Sequence, residues 1–189
     1  MSRSSRNARD AARGCGVLEL RRYELRPGAR ETLIELFERQ FVETQEAVGN
    51  RVLGTFRDAD NPDCFVWLRG FVDMPSRLDA LRAFYEGSVW ARHKDAANAT
   101  MIGSDNVLLL RPLDQSSRLA IDSSRRPPKG AFPVSTRAAA VTICPLKPAT
   151  EAAFRSHFES EIEPALRKEG ITISTGCGGN TAWLLLPWW

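Results

Sequence analysis

The sequence has few of the residues that mark a chemical function at first sight. It contains four cysteines and two histidines, and none of them falls in a CxxC pair or at zinc-ligand spacing. We therefore predict reduced, unpaired thiols at Cys15, Cys64, Cys144 and Cys177, as in a cytoplasmic protein. A Gly-rich phosphate loop, a nucleophile elbow and an HExxH metal motif are also missing, so none of these three kinds of site is expected.

After residue 16 the chain has no marked excess of positive or negative charge. The formal net charge is +3, and residues 1–16 account for all of it with four arginines against the single acid Asp10. The remainder is close to neutral, which argues against the clustered basic residues expected of a nucleic-acid-binding protein. No apolar run reaches the roughly eighteen residues of a membrane-spanning helix.

The first sixteen residues also lack the apolar segment of a secretory signal. Their composition, rich in Arg and Ser and poor in acids, is that of a transit peptide, a disordered tail or the product of a wrongly assigned start codon. We interpret residues 1–16 as a disordered leader and expect a cytoplasmic protein.

What the sequence does contain is a long internal repeat. Residues 17–52 align without a gap with residues 138–173, which lie 121 positions later. The identical pairs are Leu25 and Leu146, Pro27 and Pro148, Phe37 and Phe158, Glu38 and Glu159, and Gly49 and Gly170. A repeat of this length usually defines an architecture, because each copy has to bury one face against a neighbour.

Hydrophobic periodicity predicts the elements of the first copy. Alternation predicts a strand over 17–25, and the spacing of Phe37 and Phe41 predicts a helix that ends at Gly49. The elements predicted downstream are strands at 51–57, 64–72 and 107–110 and a helix from Pro75 that Gly87 interrupts. The order β-α-β-β-α-β is that of a ferredoxin-like α+β unit, with an antiparallel sheet and both helices on one face.

The second copy is predicted to be incomplete. It offers a strand, a helix over about 150–168 and the start of a second strand. After Thr181 the sequence is apolar and without period, so we expect no third strand, second helix or fourth strand there, as in a truncated or frame-shifted unit. The predicted domains are the leader at 1–16, a complete unit at 17–113, a linker at 114–137 and a partial second unit with an apolar tail at 138–189.

Several separated segments resemble the NIPSNAP family, in the family's order. They are residues 20–28, 56–58, 65–71, 84–87, 89–90 and 96–101. The resemblance covers the first unit and continues into the second until about Thr181. It implies the dimeric α/β-barrel superfamily, in which two ferredoxin-like units pair their sheets into a barrel, and therefore self-association through sheet faces. It also implies that a tandem member would continue after Thr181 into a strand like 65–71.

In such a barrel, one face of each sheet packs on helices and the other lines the enclosed space. We expect the aliphatic face, with Val66 and Leu68, to pack on the helices. The residues then expected around a ligand in the barrel cavity are Glu19, Arg21, Tyr23, Arg57, Trp67 and Arg69. Aromatic walls with few polar groups suit a small hydrophobic ligand. The alternative interpretation is that these residues fill the cavity or form the interface between units. Glu19, Arg21 and Arg69 would then pair as ions.

Two residues are candidates for proton transfer, Tyr23 and His93. His93 lies one helical turn after Trp90, and a histidine titrates near neutral pH. Ala96 and Ala97 occupy the positions where a second metal ligand would have to stand, so a hydrogen-bonded helix residue is the competing interpretation. We expect no metal and no cofactor.

The acids of the segment 58–63 predict a hairpin turn, because a calcium loop would need a central Gly and a terminal Glu.

Three functions stay open. The protein binds a small aromatic or lipid-like molecule and oxidises or isomerises it without a cofactor, as the resemblance implies for some relatives. Alternatively, it is a non-enzymatic interaction or adaptor protein, or the product of a damaged gene that folds only in its first unit.

Overall fold

The computed structural model describes residues 14–112, 118–119, 139–178 and 182–188. These residues divide into two compact units, the first holding 14–109 and the second holding the described residues from 110 onward. Residues 1–13 of the predicted leader and most of the predicted linker lie outside the described residues.

The first unit is a ferredoxin-like α+β unit, as predicted. Its strands are β1 (Val17–Leu25), β2 (Arg51–Arg57), β3 (Cys64–Phe71) and β4 (Met101–Pro112), of which the residues up to Leu109 belong to this unit. The strand order is β2-β3-β1-β4, and β3 pairs antiparallel with both β1 and β2. Because β1 lies between β3 and β4, its side chains stand at the centre of the sheet.

Four α-helical segments accompany this sheet: α1 (Arg30–Leu36), α2 (Val42–Ala47), α3 (Met74–Tyr85) and α4 (Ser88–Thr100). The side chain of Asp73 caps α3 by accepting a hydrogen bond from the backbone N–H of Ser76 at 2.8 Å. Gly87 separates α3 from α4 with an extended backbone, which confirms the predicted interruption. In the described part of the chain, every helix is too short or too polar to cross a lipid bilayer.

A π-helical turn, Phe37–Phe41, joins α1 to α2. At its end the backbone N–H of Val42 donates to the carbonyl of Phe37, one residue further back than in an α-helix. Phe37 and Phe41 are both buried. The sequence pattern predicted a continuous helix here, and the turn inserts a local widening. The Phe37 ring contacts Phe65 and Trp67 of β3, and the Phe41 ring contacts Phe84 of α3 and Trp90 of α4.

The second unit repeats the beginning of this plan. Its elements are β5 (Thr142–Pro145), α5 (Glu151–His157), a π-helical turn (Phe158–Ile162), α6 (Glu163–Lys168), β6 (Thr172–Gly178) and β7 (Ala182–Trp188). The second π turn aligns with the first in the repeat. The widened helix is therefore a property of both copies.

The expectation that no third strand follows Thr181 was wrong. β7 pairs antiparallel with β5, where Cys144 stands opposite Trp183, and with β6, where Cys177 stands opposite Leu184. It thus lies between them, as β3 lies between β1 and β2. An apolar run without alternation is compatible with such a central strand, because both of its faces can be covered. The residues that the structure describes contain no second helix pair or fourth strand in this unit, so one unit is complete and one incomplete.

Two predicted boundaries also differ from the structure. Cys15, assigned to the leader, is buried, and the N–H of Gly16 donates to the carbonyl of Phe71 at 2.9 Å. The ordered first unit therefore begins before Val17. Strand β4 begins at Met101 rather than at Val107, because backbone pairing carries the strand through a polar segment that has no strand signal of its own.

The repeat offers a matched pair of substitutions in its helix-entry turns. Gly28 has φ +75°, and Ala149, its counterpart, has φ 65°. A left-handed conformation costs an L-residue about 1–2 kcal/mol, part of which is offset by the greater freedom of glycine in the unfolded chain. We expect Ala149→Gly to raise the unfolding free energy of the second unit by about 0.5–1 kcal/mol.

The reverse substitution, Gly28→Ala, serves as the control. A Cβ at Gly28 would meet no atom within 4 Å, so its expected loss of about 1 kcal/mol contains no contribution from a steric clash. Urea unfolding of the single variants measures both changes. A destabilising Ala149→Gly substitution would contradict the assignment of strain to Ala149.

Candidate functional site

The pairing of β1 with β3 brings most of the predicted site residues together. Glu19 stands opposite Arg69, and Arg21 stands opposite Trp67. Tyr23 follows on the same face, with its ring 6.0 Å from that of Trp67 in an edge-on arrangement. Side chains that alternate along two neighbouring strands therefore form one continuous patch.

This patch faces the helices, so the predicted assignment of the sheet faces was wrong. Tyr23 and Trp67 belong to the same buried cluster as Phe37 and Phe41 of the π turn. The rings of Phe37 and Trp67 are 4.7 Å apart. The aliphatic Leu68 lies on the opposite side of the pleat, because neighbouring residues of a strand point to opposite faces. The candidate site is thus a space between sheet and helices, and not a barrel interior.

Glu19 is the centre of a buried ionic cluster. It is fully buried, and Arg69 is 1% exposed. One carboxylate oxygen of Glu19 accepts from Arg69 at 2.7 Å and from Arg21 at 3.0 Å. The other accepts from Arg77 at 2.5 Å. The pairing of Glu19, Arg21 and Arg69 as ions, the alternative drawn from the sequence, is therefore observed, with Arg77 as a further partner.

The aromatic rings of the patch also stabilise these cations. The guanidinium carbon of Arg69 lies 5.0 Å from the ring centroid of Trp67 and 5.5 Å from that of Phe71. That of Arg21 lies 5.4 Å from the ring centroid of Tyr23. The negative faces of these rings attract a cation most strongly where water is excluded. The rings partly offset the burial of more positive than negative charge.

Opposing effects set the pKa of Glu19. Burial raises the pKa of its carboxyl, but the charges and hydrogen bonds of Arg69 and Arg77 outweigh burial, so the pKa lies below its usual range. The carboxylate is therefore ionised at neutral pH and holds its three arginine partners in place.

The phenol of Tyr23 keeps its proton in this site. Burial raises the pKa of its phenol, and the neighbouring Arg21 only partly opposes that change. The Tyr23 oxygen accepts a hydrogen bond from Nε of Arg21 at 3.0 Å. Among the described residues, no group accepts a hydrogen bond from the Tyr23 O–H. A role of Tyr23 in proton transfer stays a prediction.

A small cavity of about 40 Å³ opens beside this patch. Its walls are mostly aromatic or aliphatic, and they come from β1, β3, β4, the π turn and all four helical segments. The lining residues are Tyr23, Leu33, Phe37, Phe41, Gln45, Trp67, Phe84, Tyr85, Trp90, Ala97 and Met101. We call this cavity the sheet–helix pocket.

One residue that lines the sheet–helix pocket, Trp67, has a buried polar atom without a partner. Trp67 is 2% exposed, and its Nε1 finds no hydrogen-bond acceptor. A buried N–H without an acceptor is uncommon in proteins and is unfavourable by about 1–3 kcal/mol. A ligand that displaced the side chains covering this N–H would supply its missing acceptor.

The two remaining predicted residues lie away from the pocket lining. Arg57 forms a hydrogen-bonded ion pair with Glu31 of α1 at 2.5 Å, and both side chains are substantially exposed. The ring of His93 lies 6.4 Å from that of Phe41, and His93 does not line the pocket. We therefore leave both outside the site that the geometry defines.

The sequence analysis did not assign Gln45, Arg77, Tyr85 or Trp90 to the site. Gln45 is 1% exposed, and its side-chain oxygen accepts from Arg69 at 3.1 Å. A signal for it exists in the sequence, because Gln45 continues the helical spacing of Phe37 and Phe41 on the buried face. The involvement of Arg77 depends on how α3 packs on the sheet, which no local pattern encodes.

The described residues include no group of three or more His, Cys, Asp or Glu side chains that could hold a metal ion. The segment 58–63 is a turn. The Asp58 carboxylate accepts from the backbone N–H groups of Asp60 and Asn61, both at 3.0 Å, and pairs with Arg22 at 3.1 Å. Burial raises the pKa of Asp58, but these bonds outweigh it and the pKa is lowered.

These features define the class of protein: an α+β chain with one complete ferredoxin-like unit and an aromatic pocket between its sheet and helices. The sequence matches the family model described as NIPSNAP over residues 18–117. This match spans more than half of the chain, and the chain belongs to the NIPSNAP family. A comparison with curated proteins finds no match.

Solved structures are similar in fold. An uncharacterized NIPSNAP-like domain protein from Burkholderia xenovorans is 23% identical, with a TM-score of 0.48, over 52% of this chain and 85% of that one. A NIPSNAP family protein from Agrobacterium tumefaciens is 18% identical, with a TM-score of 0.48, over 52% and 93%. A putative monooxygenase from Fusobacterium nucleatum is 14% identical, with a TM-score of 0.58, over 93% and 76%. At these identities the similarity concerns the fold alone.

Proposed function

We propose that the first unit binds a small hydrophobic or aromatic molecule in the sheet–helix pocket. The observation that carries this proposal is the buried, unpartnered Nε1 of Trp67 in a wall of aromatic side chains. An acceptor on a bound molecule would satisfy this donor, and the rings would surround its apolar part. Apolar walls with a few directed polar groups are typical of small-molecule sites.

The size of the pocket limits how a ligand enters. A volume of about 40 Å³ holds a few non-hydrogen atoms, since a single water already needs about 10–15 Å³. Tyr85 is 40% exposed, and its ring lies 5.1 Å from that of Trp90. Both residues flank the Gly87 break between α3 and α4. A larger ligand would place one end in the pocket and displace these two side chains.

The proposal extends to chemistry without a cofactor, of an oxygenase or isomerase type. Such reactions pass through an enolate or phenolate, and a preorganised donor next to a positive charge stabilises that anion. The protonated phenol of Tyr23, with Arg21 at 3.0 Å behind it, supplies this arrangement. The role of Tyr23 would be to hold the substrate oxygen while charge develops on it.

A thermal-shift titration with indole, catechol and 1-naphthol tests ligand binding. We expect at least one of them to raise the melting temperature in a saturable way, because ligands that bind only the folded state stabilise it. Ala97→Leu, which fills the pocket wall, should abolish the shift, and so should Tyr23→Phe if the ligand carries an oxygen. Ala83→Leu, at an exposed position of α3, is the matched control.

Two outcomes would contradict this proposal. One is the lack of any saturable shift with all three compounds. The other is a shift of equal size in the wild type and in Ala97→Leu, which would place the binding elsewhere. Because Ala97→Leu overpacks a core site at a cost of about 1–3 kcal/mol, folding of each variant is checked by circular dichroism.

A non-enzymatic interaction role is the second candidate, and exposed apolar side chains favour it. Ile102 and Leu109 of β4 are 59% and 45% exposed, and Ile143 of β5 is 47% exposed. Large apolar residues on strands are suited to pairing with another chain. We propose self-association through these strands. Light scattering over a range of concentrations measures it, and a monomer at every concentration would count against it.

A further inference from the structure

We infer that the sheet–helix pocket selects a ligand whose inserted end is an anionic hydrogen-bond acceptor, a carboxylate or a group of the same shape and charge. This inference rests on the proposed function, and it specifies the class of ligand that the proposal leaves open. It depends on four features of the pocket: its donors, its lack of acceptors, its charge and its size.

The first feature is a pair of neighbouring donors. The Tyr23 oxygen already accepts a hydrogen bond from Arg21, so its O–H remains to be donated. Nε1 of Trp67 is a donor only, and it has no partner. Both residues line the pocket, with ring centroids 6.0 Å apart. A group with two acceptor oxygens, as in a carboxylate, can bind two such donors at once.

The second feature is that nearby acceptor groups are already occupied. The oxygens of Glu19 accept from three arginines. The side-chain oxygen of Gln45 accepts from Arg69 at 3.1 Å, which leaves its amide N–H groups on the donor side. The pocket lining contains no Asp or Glu. A ligand that presents only hydrogen-bond donors would therefore find little to bind.

The third feature is charge. One carboxylate, that of Glu19, balances three guanidinium groups. The three positive charges differ in their exposure to water. Arg77 is partly open to water, with 27% of its side chain exposed, whereas the side chain of Arg21 is 13% exposed and stands behind the phenol of Tyr23. Buried charge that is incompletely balanced is unfavourable. Arg21 shares the counter-charge of Glu19 with two other arginines, and an anion at Tyr23 would add a second one.

The fourth feature is size. A cavity of about 40 Å³ has room for the few non-hydrogen atoms of a head group. The rest of the ligand would then lie against Tyr85 and Trp90, where the pocket meets solvent. A planar aromatic acid matches this shape, because its carboxylate would fill the cavity and its ring would lie against Tyr85 and Trp90.

The repeat provides an internal comparison. At the positions that correspond to Glu19, Arg21, Tyr23 and Gln45, the second copy has Ala140, Thr142, Cys144 and Leu166. The helix and its π turn are retained there, but these four polar side chains are replaced. The second copy therefore lacks these four side chains, which shows that they are not needed to build the strand and helix.

Isothermal titration with benzoate and its neutral analogue benzamide tests the inference. We expect one benzoate per chain and an affinity for benzoate at least tenfold higher than for benzamide. Hydrogen bonds to charged groups contribute about 1.5–3 kcal/mol, so Tyr23→Phe and Trp67→Phe should each weaken benzoate binding about tenfold to a hundredfold. Arg57→Gln, which alters an arginine outside the pocket, should leave it unchanged.

The outcomes separate this inference from the proposed function. If benzamide or indole binds as tightly as benzoate, and Ala97→Leu abolishes that binding, the pocket is a ligand site but the selection of an anion is wrong. If none of the three binds, both proposals fail. If benzoate binds equally to the wild type and to Tyr23→Phe and Trp67→Phe, the anion occupies another place, and the inference is overturned.

Discussion

Replacing Glu19 by alanine is expected to lower the unfolding free energy of the first unit by about 3–5 kcal/mol, the usual cost of removing one partner from a buried ionic cluster. Glu19 is fully buried and Arg69 is 1% exposed. Without the carboxylate, Arg21 and Arg69 lose their common counter-charge but stay between sheet and helices. Their desolvation is then no longer compensated.

Chemical denaturation followed by tryptophan fluorescence measures this loss, because Trp67 lies in contact with the cluster. Glu31→Ala is the matched control, since Glu31 pairs with Arg57 in an exposed ion pair and such pairs contribute about 0–1 kcal/mol. Glu19→Gln retains the shape of the side chain and gives a second measurement if Glu19→Ala does not fold. A loss below about 1 kcal/mol in both Glu19 variants would show that the cluster is not held by charge.

The stability of the first unit should also depend on pH, and the sign of this dependence follows from the lowered pKa of Glu19. The stabilisation by the ionised carboxylate is fully present above the pKa of an unfolded Glu, about 4.3. It is lost as the pH falls through the lower pKa of the folded state. Wild-type stability should therefore decrease below about pH 4.3, whereas Glu19→Gln lacks this contribution. Parallel curves for the two proteins would contradict the pKa shift.

Phe37→Ala is expected to cost about 3–5 kcal/mol, the range for truncating a buried phenylalanine. The Phe37 ring lies 4.7 Å from that of Trp67, 5.4 Å from that of Phe65 and 6.1 Å from that of Phe41. It therefore joins the π turn to β3. Truncation opens a cavity next to the sheet–helix pocket and removes these aromatic contacts.

Urea unfolding of Phe37→Ala alongside Leu78→Ala provides the comparison. Leu78 is 49% exposed, so its truncation should change stability by no more than about 0.5 kcal/mol. A loss for Phe37→Ala as small as that for Leu78→Ala would mean that the π turn does not anchor the helix to the sheet. A native-like circular dichroism spectrum shows that each variant retains its fold before unfolding.

Much of the fold was predictable because its signals are local. The alternation in 17–25, the spacing of Phe37 and Phe41, and the glycines at 49 and 87 depend only on neighbouring residues. The π turn was not predictable in this way. It adds one residue to a turn of helix, and the hydrophobic spacing of an α-helix tolerates that change without a visible break.

The candidate site shows the same division between local and long-range information. Five of the six residues predicted around a ligand lie on the helix-covered face, but the sequence analysis assigned that face to a barrel interior. Alternation shows that Tyr23, Arg21 and Glu19 share a face, and it carries no information on what covers that face. Both faces of β3 bear large apolar residues, so hydrophobicity could not separate them.

The sequence by itself determined the order of the elements in the first unit, the family and the set of side chains that point the same way, because these depend on local spacing. Only the tertiary structure decided that Glu19 meets Arg69, that Arg77 joins them from α3, and that Trp67 keeps a buried donor without a partner. These contacts join residues far apart in the chain, and they depend on strand register and helix packing. A buried ionic cluster is stable only where all of these agree, which is why the site could not be derived from any one segment.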